Sequence, residues 1–136
     1  MANERHLDSS GRNAIHAEAV AEARAAIPRD ELLLLVVEAF DVLGDPTRAR
    51  ILYALGTGEL CVRDLAIVTG VSESAMSHQL RRLRDRRVVK AWREGTAMYY
   101  SVDDQHVAAL LREAEYHADH VRRGLPDHIP YGPAEG

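Results

Sequence analysis

Four residues near the end of the chain are of the types that bind transition metals: Asp104, His106, His117 and His120. On one helix, His117 and His120 are three positions apart and project from the same side, and His106 shares that side. The 11 residues from His106 to His117 span about 16.5 Å along a helix axis, whereas Zn–N bonds are about 2.0–2.1 Å long. One straight helix therefore cannot bring both histidines to one ion.

Two antiparallel copies of this helix remove the difficulty. Asp104 and His106 of one chain then lie beside the partner's His117 and the partner's His120, which gives two identical sites of three nitrogens and one carboxylate. This ligand set suits tetrahedral Zn²⁺ and also Co²⁺. The alternative is a surface helix with incidental histidines, and the residues alone leave both interpretations open.

A second group of polar residues follows a different helical stripe. Apolar Met76, Leu80 and Leu83 repeat at i, i+4, i+7 and can anchor a helix that begins at the cap Ser72. Small or polar residues repeat at i, i+3, i+4, i+7 on another face, where they can reach base edges and phosphates in a major groove. Gln79 and Arg81 are the longer hydrogen-bond donors of this helix, and Arg93 lies in the loop that follows the next strand. The candidate DNA contacts are Ser74, Ser77, His78, Gln79, Arg81, Arg82 and Arg93.

The distribution of charge along the chain agrees with DNA binding, although the total charge does not. The chain has a net charge of −4, which argues against nucleic acid when taken whole. Residues 81–93, however, contain seven basic residues and one acid, a net of +6, which leaves −10 for the rest. A compact basic stripe on an acidic body is a candidate phosphate-binding surface, and its plain alternative is a solvated helix face.

The elements that carry these groups are mostly helical. Periodicity, caps and breakers predict helices over residues 17–27, 30–43, 47–55, 60–69, 72–87 and 104–123, with short strands over 88–92 and 97–102. A helix, a tight turn, a second helix and a β-hairpin form, in that order, a winged helix-turn-helix, a mainly α fold with a small β-hairpin that is dimerised through terminal helices. The alternative is a helical hairpin that does not bind DNA. We expect residues 1–15 to form a mobile arm, 16–123 the domain and 124–136 a flexible tail.

Length and composition bound the remaining possibilities. The 136 residues suit one domain. The chain has neither an apolar run of membrane-spanning length nor a signal-peptide pattern, so no membrane partner is expected. A single cysteine, Cys61, excludes an internal disulfide framework and favours the cytoplasm.

Three motifs carry a family resemblance: residues 43–52, LGDPTRARIL; residues 59–65, ELCVRDL; and residues 72–80, SESAMSHQL. They resemble the ArsR/SmtB family of metal-sensing repressors, and residues 99–104 resemble the family's wing. The resemblance implies a homodimer that binds double-stranded operator DNA and releases it on binding metal, with no enzymatic activity and no small-molecule substrate. The family's zinc pattern, Asp-x-His, ten residues, then His-x-x-His, matches Asp104, His106, His117 and His120.

Alternatives remain for the metal and for the class of protein. Zinc is expected, with cobalt, nickel and cadmium as alternatives; a nickel or cobalt sensor would recruit His6, His16 or His128 to complete six ligands. In some relatives a cysteine at this position binds metal with a cysteine-bearing arm, so Cys61 and His16 are a possible secondary site, although a lone buried cysteine is the simpler interpretation. A zinc enzyme is disfavoured because no His-Glu-x-x-His motif occurs and four ligands fill the shell. A metal-buffering protein would lack salt-dependent DNA binding.

Overall fold

Local sequence signals start and stop most of the helices in the computed structural model, which describes residues 13–103 and 105–124. Asp45 caps the third helix by accepting a 2.9 Å bond from the Arg48 backbone N–H, and Pro46 occupies the first turn. The elements are α1 (Ala17–Ala26), α2 (Asp30–Leu43), α3 (Pro46–Leu55), β1 (Leu60–Cys61), α4 (Val62–Thr69), α5 (Glu73–Asp85), β2 (Val89–Glu94), β3 (Ala97–Val102) and α6 (Gln105–Arg123).

The described residues fall into two units. The first reaches from residue 13 to Phe40 and contains α1 and most of α2; the second begins at Asp41 and contains the remaining elements. In the first unit α2 exposes large apolar side chains, among them Leu34, Leu35 and Phe40. The expected arm and tail fall largely on residues 1–12 and 125–136, outside the described residues.

The second unit is built around one apolar cluster. It takes Ile51, Leu52 and Leu55 from α3, Leu65 and Ala66 from α4, and Met76, Leu80 and Leu83 from α5. Val88, Val89 and Tyr100 join it from the β-sheet side. All three apolar residues expected to anchor α5 are fully buried, which confirms that stripe.

The β-structure is larger than the expected hairpin. The expected helix over residues 60–69 is wrong at its start, because Leu60 and Cys61 form β1, antiparallel to β3 opposite Tyr100 and Tyr99. The sheet order is therefore β1-β3-β2. Between β2 and β3 the turn is only Gly95 and Thr96, with φ 61° at Gly95, so Arg93 lies within β2 rather than in the loop expected after residue 92.

Helix α5 also ends earlier than expected, at Asp85. Arg87 adopts a left-handed φ of 57°, and the Val88 N–H bonds the Leu83 carbonyl at 2.9 Å while the Arg87 N–H bonds that of Arg84. These two bonds form a Schellman cap, a position that glycine usually occupies. Val88 is buried with Leu83, so the cap joins the helix directly to the core.

We predict that Leu65→Ala destabilises the fold by about 2–5 kcal/mol, because Leu65 is fully buried and its loss leaves a cavity. Ile67 lies on the same helix and is 73% exposed, so Ile67→Ala is the matched control and should change stability by no more than about 0.5 kcal/mol. Urea unfolding at one fixed protein concentration measures both. Equal losses in the two variants would contradict the assignment of the core.

Candidate metal and nucleic-acid sites

The exposed face of α5 carries most of the predicted DNA contacts. A left-handed turn at Gly70, with φ 75°, separates α4 from the α5 cap, and the Ser72 hydroxyl accepts a 3.0 Å bond from the Ala75 N–H. Because the apolar stripe faces the core, the opposite face is left to solvent. The exposed members of the predicted set on this helix are Ser74, Ser77, His78, Arg81 and Arg82.

Gln79 differs from the other predicted contacts. It is half-buried, and its Oε1 is buried without a hydrogen-bond partner among the described residues. Its position three residues after buried Met76 places it beside the apolar stripe. The structure therefore does not bring Gln79 together with the exposed serines, and its contact with DNA remains a prediction.

Arg82 lies on the flank of α5 that faces the junction of α2 and α3. There it lines a cavity of about 240 Å³ together with Asp41, Arg48, Asp85 and Arg86. Arg48 spans the junction by donating a 2.6 Å bond from Nε to the Val42 carbonyl. Arg82 therefore occupies the edge of the predicted surface, between the helix face and this mixed-charge cavity.

The wing, formed by β2 and β3, carries the predicted contact Arg93. Arg93 is exposed and pairs with Met98 one position before the end of β2. Trp92 stacks on its cross-strand neighbour Tyr99 with ring centroids 6.3 Å apart, and it donates an indole hydrogen bond of 3.3 Å to Glu94. This aromatic pair braces the strand that presents Arg93.

The predicted metal ligands lie on α6, apart from Asp104, which falls outside the described residues. His106 and His117 are exposed, while His120 is only 8% exposed and packs against Tyr116 with ring centroids 4.1 Å apart. Within the described part of one chain, no three potential ligands are close enough to hold an ion. A single copy would show this separation if the ligands came from two chains, so the shared site remains a prediction.

Asp119, which is not among the residues predicted from the sequence, lies between His117 and His120. It accepts a 2.6 Å bond from Arg122 and forms a 3.2 Å ion pair with Arg123. The Arg122 hydrogen bond is the main reason why the pKa of Asp119 lies below its usual range, partly offset by desolvation of the carboxyl. The spacings i, i+3 and i, i+4 to the two arginines are the sequence signal that could have identified it.

The possible secondary site consists of residues in the two separate units. Cys61 is half-buried in β1 and also precedes the first turn of α4. His16 is exposed at the start of α1 in the first unit. Their joint role as metal ligands stays a prediction.

Comparison with known proteins assigns the chain to a family. Residues 45–91, which include α3, α4 and α5, match the model of the bacterial regulatory proteins of the arsR family. A transcriptional repressor SmtB homolog from Synechocystis sp. is 44% identical over 108 residues, which cover 79% of this chain and 80% of that protein. The chain belongs to the arsR family.

Other relatives agree with this membership. The regulator NmtR of Mycobacterium tuberculosis is 45% identical over 70% of this chain and 79% of its own. A homodimeric winged helix-turn-helix DNA-binding domain from Mycobacterium bovis superposes with a TM-score of 0.65 at 30% identity, covering 78% of this chain and 99% of that domain. The arsR-family membership confirms the expected fold and the expected class, a regulatory protein rather than an enzyme. In the described residues of this arsR-family chain, no helix is long and apolar enough to cross a membrane.

We predict that Arg122→Gln raises the pKa of Asp119 toward the ordinary aspartate value of about 3.9, because the variant weakens the strongest contact to the charged carboxylate. The carboxyl carbon chemical shift, followed by NMR between acid and neutral pH, measures the change. Arg112→Gln, on the same helix, is the control and should leave that titration unchanged. An unaltered titration in Arg122→Gln would contradict the assigned pairing.

Proposed function

We propose that this chain is a metal-responsive transcriptional repressor whose homodimer binds operator DNA and releases it when Zn²⁺ binds between the two copies of α6. The observation that carries the proposal is the placement of both candidate sites, for DNA and for metal, on one folding unit. The second unit presents an exposed polar face on α5 and exposed His106 and His117 on α6. Among the described residues of one chain, no three potential metal ligands lie close enough to hold an ion, so the proposed metal site needs a second copy.

The DNA half of the proposal follows from the geometry of α5. A winged helix-turn-helix places its second helix in the major groove, where N-terminal side chains contact base edges. Ser74 and Ser77 are small enough to let the backbone approach closely, and His78 and Arg81 extend further on the same exposed face. Arg93 on the wing supplies a backbone contact beside the groove, and the net charge of +6 over residues 81–93 supplies the attraction.

The dimer half follows from apolar surface and from spacing. Leu34, Leu35 and Phe40 on α2 are large apolar residues that one copy leaves exposed, and contiguous exposed apolar surface often marks a protein–protein contact. On α6, Leu110 and Val121 are exposed as well. The homodimeric Mycobacterium bovis domain supports a homodimer. A two-fold pairing with antiparallel α6 helices would bring Asp104 and His106 to the partner's His117 and the partner's His120.

The donor set fits zinc. Three imidazoles and one carboxylate match the tetrahedral preference of Zn²⁺, and two of the three histidines are exposed on α6. The ion would supply a bond between subunits that neither chain can make alone. His120 packs on Tyr116, so we expect that ring to hold the imidazole in a fixed orientation, while Asp104 adds the charge.

The proposed mechanism is negative allostery: metal binding at α6 weakens DNA binding at α5. The exposed faces of the two α5 helices must be about 34–36 Å apart to enter successive major grooves on one side of DNA. Fixing the two α6 helices restricts the dimer to spacings that fit the duplex poorly. Because the linkage is reciprocal, bound DNA weakens the binding of the metal by the same factor. The arsR-family relative named as a cadmium resistance regulatory protein in Staphylococcus aureus, 41% identical over 63% of this chain and 72% of its own, supports a link to metal ions.

We predict that Zn²⁺ weakens DNA binding by the wild-type protein about 5–150-fold, the usual range of coupling between two sites, and that His117→Ala abolishes this effect. Fluorescence anisotropy with a duplex selected from random sequence by the metal-free protein gives both dissociation constants. Glu113→Ala on the same helix is the matched control and should keep the full zinc effect.

Three results would revise this proposal. Retention of the full zinc response in His117→Ala would overturn the shared site. Release of DNA by Ni²⁺ or Co²⁺ at far lower concentration than by Zn²⁺, together with loss of that response in His16→Ala, would favour a six-ligand site that recruits terminal histidines. Release by Cd²⁺ alone would exclude zinc as the effector.

We predict that Arg81→Ala weakens DNA binding and lowers the slope of log K against log salt by about one unit per subunit, because one phosphate contact is lost from each. Arg112→Ala, which removes the same charge from exposed α6, is the control and should leave the slope unchanged. Anisotropy titrations at several salt concentrations measure both. An equal change of slope in the two variants would mean that total charge, rather than the α5 surface, determines binding.

A further inference from the structure

One side chain joins the middle of α6 to α3. Tyr53, on α3, directs its hydroxyl toward Glu115, with 3.1 Å between Oη and Oε2, and toward the Leu111 carbonyl oxygen at 3.3 Å. Towards its N-terminus α6 rests on the core through Val107 and Leu111. Tyr53 therefore contacts α6 at the point where this apolar attachment ends and the segment with His117 and His120 begins.

The chemistry of this contact keeps the Tyr53 hydroxyl as the hydrogen-bond donor. A phenol has one proton, and here it has two oxygen acceptors on successive turns of the same helix, one of them a carboxylate, which is the stronger acceptor. Burial, with the hydrogen bond and charge of Glu115, raises the pKa of Tyr53 above its usual value of 10.0. A phenol is already protonated at neutral pH, so Tyr53 remains a hydrogen-bond donor there, although the residue is 47% exposed.

The other side of α3 reaches the recognition helix through the core. Ile51, Leu52 and Leu55 of α3 share one buried cluster with Met76, Leu80 and Leu83 of α5. Protein interiors are close-packed and transmit displacement rather than absorbing it. A continuous series of contacts therefore runs from Glu115 of α6 through Tyr53 to α3, and from α3 through that cluster to the DNA-facing helix.

We propose that Tyr53 is a positioning residue that couples metal binding on α6 to DNA binding on α5. This inference rests on the proposed function, and it names the contact through which the two sites communicate within one chain. Glu115 precedes His117 by two residues, less than one helical turn, so any reorientation of His117 by an ion also moves the acceptor of the Tyr53 bond. The phenol hydroxyl, rather than the ring, carries the coupling.

The test compares wild type with Tyr53→Phe, Glu115→Gln and the double variant. Tyr53→Phe keeps the ring but removes the donor, and Glu115→Gln keeps the shape but removes the charge. For each protein, DNA dissociation constants are measured with and without Zn²⁺ on the selected duplex, and their ratio is the coupling factor. Glu113→Gln, the same charge change on an exposed position of α6, is the matched control.

We expect the coupling factor to fall roughly five-fold in Tyr53→Phe, which corresponds to the loss of one hydrogen bond, and to fall no further in the double variant. A contact that served stability alone would lower the melting temperature but leave the ratio unchanged. An unchanged ratio in Tyr53→Phe, with a large ratio in wild type, overturns this inference and leaves the proposed function standing. A ratio near one in wild type overturns the proposed function and this inference with it.

Discussion

The burial of one side of α5 is the constraint on which the rest of the structure depends. Met76, Leu80 and Leu83 are withdrawn completely from solvent into a cluster shared with α3 and α4. At about 0.8 kcal/mol for each buried methylene group, these side chains fix both the position and the rotation of the helix. Rotation matters most, because the periodicity of the helix then leaves Ser74, Ser77 and His78 on the opposite side. The polar face of α5 is exposed because the apolar face of the same helix is buried in the core.

Local patterns in the sequence predicted most of this arrangement. The structure confirms the Ser72 cap and the tight turn before it, at Gly70, and it starts α3 with the Asp45 cap and Pro46. All of these features are determined by residues within a few positions of each other. Two boundaries could not be predicted in this way. β1 exists only because Leu60 and Cys61 meet Tyr100 and Tyr99, some 40 residues later in the chain, and two residues are too few to show a strand periodicity.

The end of α5 was misplaced for a different reason. A left-handed cap is normally signalled by glycine, and here Arg87 adopts that conformation instead. Its cost is offset by the burial of Val88 beside Leu83, a tertiary effect that no local rule contains. The candidate metal site also combines features that local sequence predicts with features that it does not. The spacing of the histidines predicted that one helix cannot complete the site. The exposure of His117 and the contact of His120 with Tyr116 depend on tertiary packing.

The three-stranded sheet has a consequence for protein engineering. Because β3 is the central strand, the wing is hydrogen-bonded on one side to residues that directly precede α4. The wing is therefore not structurally independent of the rest of the DNA-binding unit. A chimera that exchanges residues 89–102 between arsR-family members must also bring a compatible pair at positions 60 and 61. Otherwise the grafted strand meets a foreign edge, and the first helix of the helix-turn-helix loses the backbone pairing that precedes it.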